Sequence, residues 1–279
     1  MFSETTTITQ PPRILVFDSG VGGLSIVEEI KRLLPHCALT YASDNAAFPY
    51  GTKTENELVK RVDKVLHKIA AHCHADIIVI ACNTASTIAL PHIRSRFRQP
   101  IVGVVPAIKP AAQQTKTNVI GLLATPGTIS RTYTRKLIED FASHCHVISV
   151  GSSELVELAE TKLRGHPVKT EVLKAVVEKL FCAPQAEQLD SVVLACTHFP
   201  LLREELNAAA PHPVAWIDSG AAIARRTAYL LRQLKPRFNQ QVSTAIQHQS
   251  LFTADTPELR HLLTMLPNRH SGNIEILYI

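Results

Sequence analysis

Two stretches of this chain share one pattern, and together they limit its fold more than any other feature. Each is a run of aliphatic, largely β-branched residues that ends in a cysteine, which is Cys82 within Ile77–Thr87 and Cys196 within Ser191–Leu202. Continuous apolar runs of this length are typical of strands that are buried on both faces of a parallel sheet. We therefore predict two buried strands, each of which ends at a thiol.

Small polar side chains follow each of these thiols. The first is followed by Asn83 and Thr84 and the second by Thr197 and His198, and after each pair the sequence can begin a helix. Open α/β folds bind ligands at such strand-to-helix junctions, because backbone N–H groups and the helix dipole point there. Two junctions of this kind predict one site that is reached from two sides.

The order of elements is repeated along the chain. A strand at Arg13–Phe17 leads through a glycine turn into a helix near Leu24, and a strand at Asn118–Leu123 leads through Thr125–Thr128 into a helix over Ile129–Phe141. A strand that ends in a cysteine follows each of these two strand–turn–helix units, at nearly the same distance along the chain. This order indicates an internal repeat. Strands that alternate with helices favour parallel sheets. The predicted fold is α/β, with two pseudo-symmetric doubly wound lobes, mainly parallel sheets and an active site in the cleft between them.

The lobe boundaries are predicted from the positions of proline residues and of the strands in the tail. Pro106 and Pro110 bracket a crossing between the lobes. Two short strands in the tail, near Leu251–Thr253 and Ile274–Tyr278, flank one helix and are expected to return to the first lobe. We predict a discontinuous first lobe at residues 12–106 plus 218–279. The second lobe comprises residues 107–217, and residues 1–11 form an N-terminal extension.

Composition excludes several classes of protein. The chain has 279 residues, of which 46% are hydrophobic and 19% charged, as in ordinary globular proteins. No apolar run approaches the roughly 20 residues of a membrane-spanning helix, and the N-terminus lacks the pattern of a signal peptide. We expect a cytoplasmic protein with no membrane partner. The net charge of +5 is scattered. Its one tight cluster, Arg94, Arg96 and Arg98, is typical of a solvated helix face, so no nucleic acid is expected.

The cysteines and histidines do not indicate a metal site. None of the six cysteines belongs to a C-x-x-C pair, and the chain is too long for so few to form a disulfide framework. The triplets His72-Cys73-His74 and His144-Cys145-His146 lack the spacing of tetrahedral zinc ligands. We interpret them as the ends of secondary-structure elements and predict no metal.

The glycine turn after the first strand allows a different function. Gly20-x-Gly22-x-x-Ser25 comes close to the dinucleotide-binding fingerprint, and Asp44 lies at a plausible distance for a ribose contact. The pattern lacks its third Gly or Ala and leaves the two cysteines unexplained. A nucleotide-binding regulatory protein is therefore the weaker alternative.

A loop with aromatic residues follows the second strand. Pro and Gly punctuate the stretch from Asp44 to Gly51, which also carries Phe48 and Tyr50. These aromatic side chains form a lid or wall over a pocket, or they pack back onto the core. The local sequence leaves both interpretations open.

Two thiols on either side of one cleft suit a reaction that inverts a stereocentre by proton exchange. One group removes a proton from one face of a carbon and the other delivers a proton to the opposite face, and a thiol can play either part when a neighbour assists. Asp18 is the candidate assistant of Cys82, and His198 that of Cys196. Donors around the cleft must stabilise the carbanion. No lysine stands at a strand end as a pyridoxal site requires, so a mechanism without a cofactor is favoured.

Several motifs, in order, closely resemble those of the glutamate racemases, cofactor-independent members of the aspartate/glutamate racemase superfamily. The resemblance runs from about Arg13 to the helix after Asp218. Its motifs are Val16-Phe17-Asp18-Ser19-Gly20-Val21-Gly22-Gly23-Leu24, Pro49-Tyr50-Gly51, Ala81-Cys82-Asn83-Thr84-Ala85-Ser86, Thr125-Pro126-Gly127-Thr128 and Ala195-Cys196-Thr197-His198-Phe199-Pro200-Leu201-Leu202.

The resemblance implies interconversion of L- and D-glutamate, which supplies D-glutamate for peptidoglycan. It implies that Cys82 and Cys196 are the proton donor and acceptor, the first acting on the D-enantiomer and the second on the L-enantiomer, with Asp18 and His198 as their assistants. The substrate contacts it implies are Asp18, Ser19, Pro49, Tyr50, Gly51, Asn83, Thr84, Thr125, Thr197 and His198.

Substrate specificity and partners are further expectations from the resemblance. In aspartate-type relatives the position of His198 is usually Glu, so the Thr197-His198 pair favours glutamate. A related two-cysteine racemase for another acidic amino acid, such as aspartate, is the alternative. Some relatives use extra N-terminal sequence when a cell-wall precursor activates them, and residues 1–12 lie outside the resemblance. The expected partners are glutamate, a precursor activator and a second copy in a homodimer.

Overall fold

Strands and helices alternate throughout the structure, a computed structural model that describes residues 11–234, 246–265 and 272–279. The strands in these residues are β1 (Arg13–Asp18), β2 (Ala38–Ser43), β3 (Ile77–Ile80), β4 (Ile101–Gly103), β5 (Val119–Ala124), β6 (His146–Gly151), β7 (Ser191–Leu194), β8 (Ala215–Ile217), β9 (Gln249–Phe252) and β10 (Asn273–Ile276). The α-helices are α1 (Leu24–Leu33), α2 (Glu55–Cys73), α3 (Asn83–Arg96), α4 (Ile108–Gln114), α5 (Pro126–Ser130), α6 (Thr132–Ala142), α7 (Glu154–Leu163), α8 (Thr170–Phe181), α9 (Arg203–Ala209), α10 (Gly220–Gln233) and α11 (Pro257–Met265). Short 3₁₀-helices span Asn45–Ala47, Tyr50–Thr52, Ala186–Gln188 and Phe199–Leu202.

The strands form two sheets. The first has the order β10-β9-β2-β1-β3-β4 and the second the order β6-β5-β7-β8. Neighbouring strands are parallel in every pair that the described residues form. The predicted fold class, two doubly wound α/β lobes with parallel sheets, is confirmed.

Strand register places the residues that follow the inner strands at matching positions in the two sheets. In the first sheet Phe17 of β1 pairs with Ile80 of β3, and in the second Leu123 of β5 pairs with Leu194 of β7. The carboxyl ends of parallel neighbours lie at one edge of a sheet. The residues just beyond β1 and β3 therefore meet, and so do the residues just beyond β5 and β7.

Apolar side chains cover both faces of each sheet. The four residues of β3 and the four of β7 are buried. Packing against the first sheet involves α1 and α10 on one face and α2 and α3 on the other. The second sheet packs against α7, α8 and α9 on one face and α4 and α6 on the other. Each fully buried isoleucine, such as Ile77, stabilises the fold by roughly 1.5–3 kcal/mol. This burial fixes where the strands end, and hence where the thiols lie.

The helix after the first thiol begins earlier than predicted. It starts at Asn83 rather than near Ala85, with Cys82 as its N-cap residue. The sulfur of Cys82 accepts a hydrogen bond from the Ala85 N–H at 3.5 Å, which satisfies a donor that the first turn would otherwise leave without a partner.

The helix predicted over Ile129–Phe141 is wrong in its extent, because two helices occupy this region. Pro126 begins α5, where its missing N–H costs no helical hydrogen bond. Arg131 then adopts an extended conformation, with φ −73° and ψ 141°, and separates α5 from α6. The motif Thr125–Thr128 thus forms the start of a short helix rather than an open turn.

The tail adds two strands to the first sheet, since β9 pairs with β2 and with β10. Residues 1–10 of the predicted N-terminal extension lie outside the described residues. The lobe boundaries themselves, 12–106 plus 218–279 and 107–217, stay a prediction. In the part of the chain that the structure describes, no helix combines the length and apolar character that crossing a membrane requires.

Candidate active site

A cavity of about 290 Å³ lies where the carboxyl ends of the two sheets meet. Both sheets and the loop after β2 contribute to its walls. The residues that line it are Asp18, Ser19, Phe48, Pro49, Tyr50, Gly51, Thr52, Cys82, Asn83, Thr84, Thr125, Pro126, Gly127, Thr128, Ser153, Val156, Glu157, Ala195, Cys196, Thr197 and His198.

Every candidate site residue from the sequence lies in this cavity. The set comprises Asp18, Ser19, Pro49, Tyr50, Gly51, Cys82, Asn83, Thr84, Thr125, Cys196, Thr197 and His198. The two thiols come from different sheets, because Cys82 follows β3 and Cys196 follows β7. The structure therefore brings these residues together, while their individual roles stay predictions.

The first thiol is surrounded by β1 and the N-terminus of α3. Its sulfur lies 3.6 Å from Ser19 Oγ and accepts from the Ala85 N–H. Asp18 is almost fully buried beside it, and its carboxylate accepts from the Ser19 N–H at 2.7 Å and from the Gly23 N–H at 2.5 Å. The glycine turn thus orients Asp18 toward the cleft.

Burial controls the charge at this thiol. Burial and the neighbouring Asp18 carboxylate raise the pKa of Cys82, so its resting form is the neutral thiol. Burial also raises the pKa of Asp18, although the His198 cation and the N–H groups of the turn oppose that shift. Both shifts favour the protonated form of the group concerned.

The second thiol belongs to a chain of polar contacts. Cys196 Sγ lies 3.8 Å from His198 Nδ1, and His198 Nε2 lies 2.9 Å from Glu160 Oε1. Arg164 Nη2 donates to the other carboxylate oxygen of Glu160 at 3.1 Å. His198 and Glu160 are both buried. This arrangement fixes the imidazole ring between the thiol and a carboxylate.

The sequence did not reveal Glu160. It lies on α7 among buried apolar neighbours, Leu158 and Ala159, four residues before Arg164. An acidic residue on an otherwise apolar helix face, with an arginine one turn later, was the available signal. Nothing in the sequence connects this residue with His198.

The Glu160–His198 pair is held in its charged form. Burial alone would lower the pKa of His198, but the hydrogen bonds to Cys196 and Glu160 outweigh it and raise that pKa well above its usual value. Burial likewise opposes ionisation of Glu160, yet the bond to His198 lowers the pKa of that carboxyl. An imidazolium beside Cys196 stabilises negative charge on its sulfur.

The aromatic loop combines the two arrangements that the sequence left open. Phe48 and Tyr50 both line the cavity, and the Phe48 ring lies 5.9 Å from the His198 ring. Tyr50 is also a buried core residue, and its hydroxyl donates to Asp44 at 2.6 Å. The loop is thus a wall of the cavity that is fixed from behind.

The nucleotide-binding alternative does not fit this geometry. Asp44, its candidate ribose ligand, is fully buried and accepts from Tyr50, Arg61 and Thr253 instead of lining the cavity. The Gly23 N–H, which a phosphate would need, donates to Asp18.

One lining residue has an acceptor that no protein group satisfies. The side-chain oxygen of Asn83 is buried and has no hydrogen-bond partner among the described residues. Buried acceptors rarely stay without a partner. This oxygen suits an ammonium or hydroxyl donor on a bound molecule.

Comparisons with known proteins agree with this site. The family model described as Asp/Glu/Hydantoin racemase matches residues 22–227. The chain is 49% identical to the glutamate racemase of Klebsiella pneumoniae (strain 342), across 91% of this chain and 88% of the relative. It is 54% identical to that of Serratia proteamaculans (strain 568), across 82% and 79%.

A solved structure is similarly close. The Escherichia coli glutamate racemase in complex with L-glutamate and the activator UDP-MurNAc-Ala superimposes with a TM-score of 0.88 and 45% identity, covering 96% of this chain and 98% of that one. The chain therefore belongs to the Asp/Glu/hydantoin racemase family and, within it, to the glutamate racemases, the isomerases that interconvert L- and D-glutamate.

Proposed function

We propose that the chain racemises glutamate by a cofactor-independent mechanism in which two cysteines exchange protons with the α-carbon. The observation that carries the proposal is the placement of two thiols. Cys82 and Cys196 each follow an inner strand, in two different sheets, and both line one cavity. Each thiol has its own acid–base neighbour, Asp18 for Cys82 and His198 for Cys196.

The proton balance needs both thiols. In the L-to-D direction, the Cys196 thiolate takes the α-proton of L-glutamate, and the electron pair of that C–H bond becomes a carbanion delocalised into the α-carboxylate. The Cys82 thiol then delivers its proton to the opposite face and a new C–H bond forms. Cys196 ends as a thiol and Cys82 as a thiolate, so D-to-L turnover uses the same groups in exchanged roles.

The electrostatics favour this starting arrangement. A positive His198 lies beside Cys196, whereas burial and Asp18 keep Cys82 protonated. The proposal therefore gives Cys196 the part of the base and Cys82 that of the acid in the L-to-D direction. Asp18 and His198 can return protons between turnovers, because each adjoins its thiol.

The carbanion needs stabilisation as its charge develops. Hydroxyl and amide groups of Asn83, Thr84 and Thr197 line the cavity, and α3 points its N-terminus into the cavity because Asn83 is its first residue. Donors and a helix dipole that are fixed before reaction stabilise developing negative charge most effectively. We assign these groups to the α-carboxylate, and the buried oxygen of Asn83 to the α-ammonium.

The first experiment follows L-glutamate in D₂O with purified protein and no added cofactor. Circular dichroism should decay to zero while proton NMR shows deuterium entering the α-position. Decay that stops when a metal chelator is added, or that needs pyridoxal phosphate, would contradict the mechanism. The same assay with aspartate tests the alternative substrate.

Serine variants assign the two faces. Cys82→Ser and Cys196→Ser should each lower racemisation at least about a hundredfold, because a hydroxyl is too weak an acid to replace a positioned thiol. Cys82→Ser should still exchange the α-proton of L-glutamate, and Cys196→Ser that of D-glutamate, since one thiol remains. The control is Cys182→Ser, at an exposed cysteine. Near-parental racemisation by either active-site variant would refute the two-thiol mechanism.

The proposal also covers how the enzyme is regulated and where in the cell it acts. The E. coli relative was solved with the activator UDP-MurNAc-Ala, and we propose that a precursor of this type also activates this chain and links it to peptidoglycan synthesis in the cytoplasm. Adding the precursor to the racemisation assay should raise the rate. If the rate does not change up to a saturating concentration of the precursor, the proposed activation is refuted and the racemase mechanism is not. A homodimer, tested by light scattering, stays a prediction.

A further inference from the structure

The charge of the substrate raises a question that the cavity lining does not answer. Glutamate carries two carboxylates and one ammonium group at neutral pH, so its net charge is negative. The lining residues include the acids Asp18 and Glu157 and the base His198, but among the described residues that line the cavity none is lysine or arginine. His198 is already paired with Glu160. Any lysine or arginine that counters the second carboxylate therefore stands behind the described residues that line the cavity.

Arg131 stands directly behind one end of that wall. Its Nη1 donates to Thr128 Oγ1 at 3.5 Å, and Thr128 Oγ1 lies 3.0 Å from Thr125 Oγ1. Both threonines line the cavity. A Cβ added to Gly127 would lie 3.4 Å from both Arg131 Nη2 and the Gly51 carbonyl oxygen. The guanidinium therefore lies just behind the end of the cavity where Gly51 and Gly127 approach each other.

This guanidinium differs from the other partly buried arginines near the cleft. Arg61, Arg164 and Arg203 each form an ion pair with a carboxylate. Arg131 is also partly buried, yet within the described ranges it has no carboxylate within 4 Å. Burial lowers its pKa, and the Glu55 carboxylate, which lies beyond ion-pair distance, opposes that shift. A partly desolvated cation that has a hydroxyl neighbour but no ion pair gains more from an incoming anion than a solvated one.

We propose that Arg131 is a specificity-determining residue, whose guanidinium over the Gly51–Gly127 end of the cavity counters the side-chain carboxylate of glutamate. Thr128, which accepts a hydrogen bond from Arg131, and Thr125, which is hydrogen-bonded to Thr128, orient their hydroxyls toward the same carboxylate. The inference rests on glutamate being the substrate of the proposed function. It does not depend on which thiol serves which face.

Neutral variants test the proposal. Arg131→Gln and Arg131→Met should raise KM for both enantiomers of glutamate about 10- to 100-fold, the loss expected for one charge-assisted hydrogen bond. The value of kcat should change much less, because the interaction is the same before and during proton transfer. Arg131→Lys should recover part of the affinity. Arg135→Gln is the matched control, since Arg135 is exposed on α6 and contacts Thr132 instead.

The outcomes separate this inference from the racemase mechanism. Glutamate affinity is measured by calorimetry as well as by kinetics, so binding is tested even where turnover fails. A KM and Kd within twofold of the parental values in the neutral variants would overturn the proposal. So would a fall in kcat with unchanged KM, a lysine variant as impaired as the glutamine variant, or loss of the native circular dichroism in both neutral variants, which would assign Arg131 to folding.

Discussion

At the scale of single residues, the two sides of the cavity are chemically unequal. Cys82 has a carboxylate neighbour and a raised pKa, whereas Cys196 has an imidazolium neighbour that Glu160 holds in place. Equivalent strand ends thus carry thiols whose ionisable neighbours differ in charge. The difference arises from the side chains around each sulfur and not from the backbone that positions it.

Glu160→Gln should reduce catalysis through His198. Without the carboxylate, burial dominates and the pKa of His198 falls, so less imidazolium adjoins Cys196 at neutral pH. We expect kcat/KM for L-glutamate to fall about 10- to 100-fold, as for the loss of one charge-assisted hydrogen bond.

Histidine NMR resolves the cause. The titration of His198 should move to lower pH in Glu160→Gln and stay in place in Glu154→Gln, a control on the same helix whose carboxylate accepts from Ser152. An unchanged titration in the Glu160 variant would refute the positioning role, whatever the rate.

At the scale of elements, the segment between β1 and α1 contacts residues at the strand ends of both sheets. Its Gly22 and Gly23 lie against His198 and Asp18, and Ser25 Oγ donates to the Thr197 carbonyl at 3.1 Å. A loop of the first sheet thus packs directly on His198, the residue beside the second thiol. Glycine is required here for close approach and not for a left-handed conformation.

Gly22→Ala should displace His198. The added Cβ would overlap Nδ1 of the buried His198 ring, so the ring must move. A displacement of about 1 Å in an active site can lower the rate about a hundredfold. Racemisation and the His198 NMR signals report the change. In the control Gly220→Ala the new Cβ meets the side chains of Glu29 at 3.0 Å and Asp218 at 3.1 Å, and neither residue lines the cavity. Parental activity in Gly22→Ala would show that the ring position is not critical.

At the scale of the whole molecule, the tail supports the cavity wall through one buried carboxylate. Asp44 receives hydrogen bonds from Tyr50 in the wall, from Arg61 on α2 and from Thr253 directly after β9. Arg61 Nη1 also donates to the carbonyl of Ile279 at 3.5 Å. Segments from distant parts of the sequence are thus joined behind the substrate site.

Arg61→Gln should destabilise the fold and loosen the wall. It leaves the fully buried Asp44 without its cation, and breaking a buried pair in this way costs about 3–5 kcal/mol. Urea unfolding measures that loss, and KM for glutamate should rise because Tyr50 is less firmly held. Lys60→Gln, at the exposed neighbouring position, is the control. A loss below about 1 kcal/mol would show that water solvates Asp44 in the variant.

Much of this site could be predicted from sequence because its signals are local. Buried strands appear as continuous apolar runs, and a residue that directly follows such a run lies at a sheet edge. Cys82, Asn83, Cys196 and His198 were found in this way. The capping box Thr54–Glu57 at the start of α2 is likewise local, because its two residues are only three positions apart in the chain.

What only the tertiary structure decided are the contacts between groups that are far apart in the chain. Glu160 meets His198, Asp44 meets Thr253, and Arg131 lies over the Gly51–Gly127 contact. The sequence alone determined which strands are buried and where their thiols end, because hydrophobic periodicity acts over a few residues. The charge state of each thiol's surroundings depends on burial and on partners that the folding of two sheets brings together, and no local pattern encodes those distances.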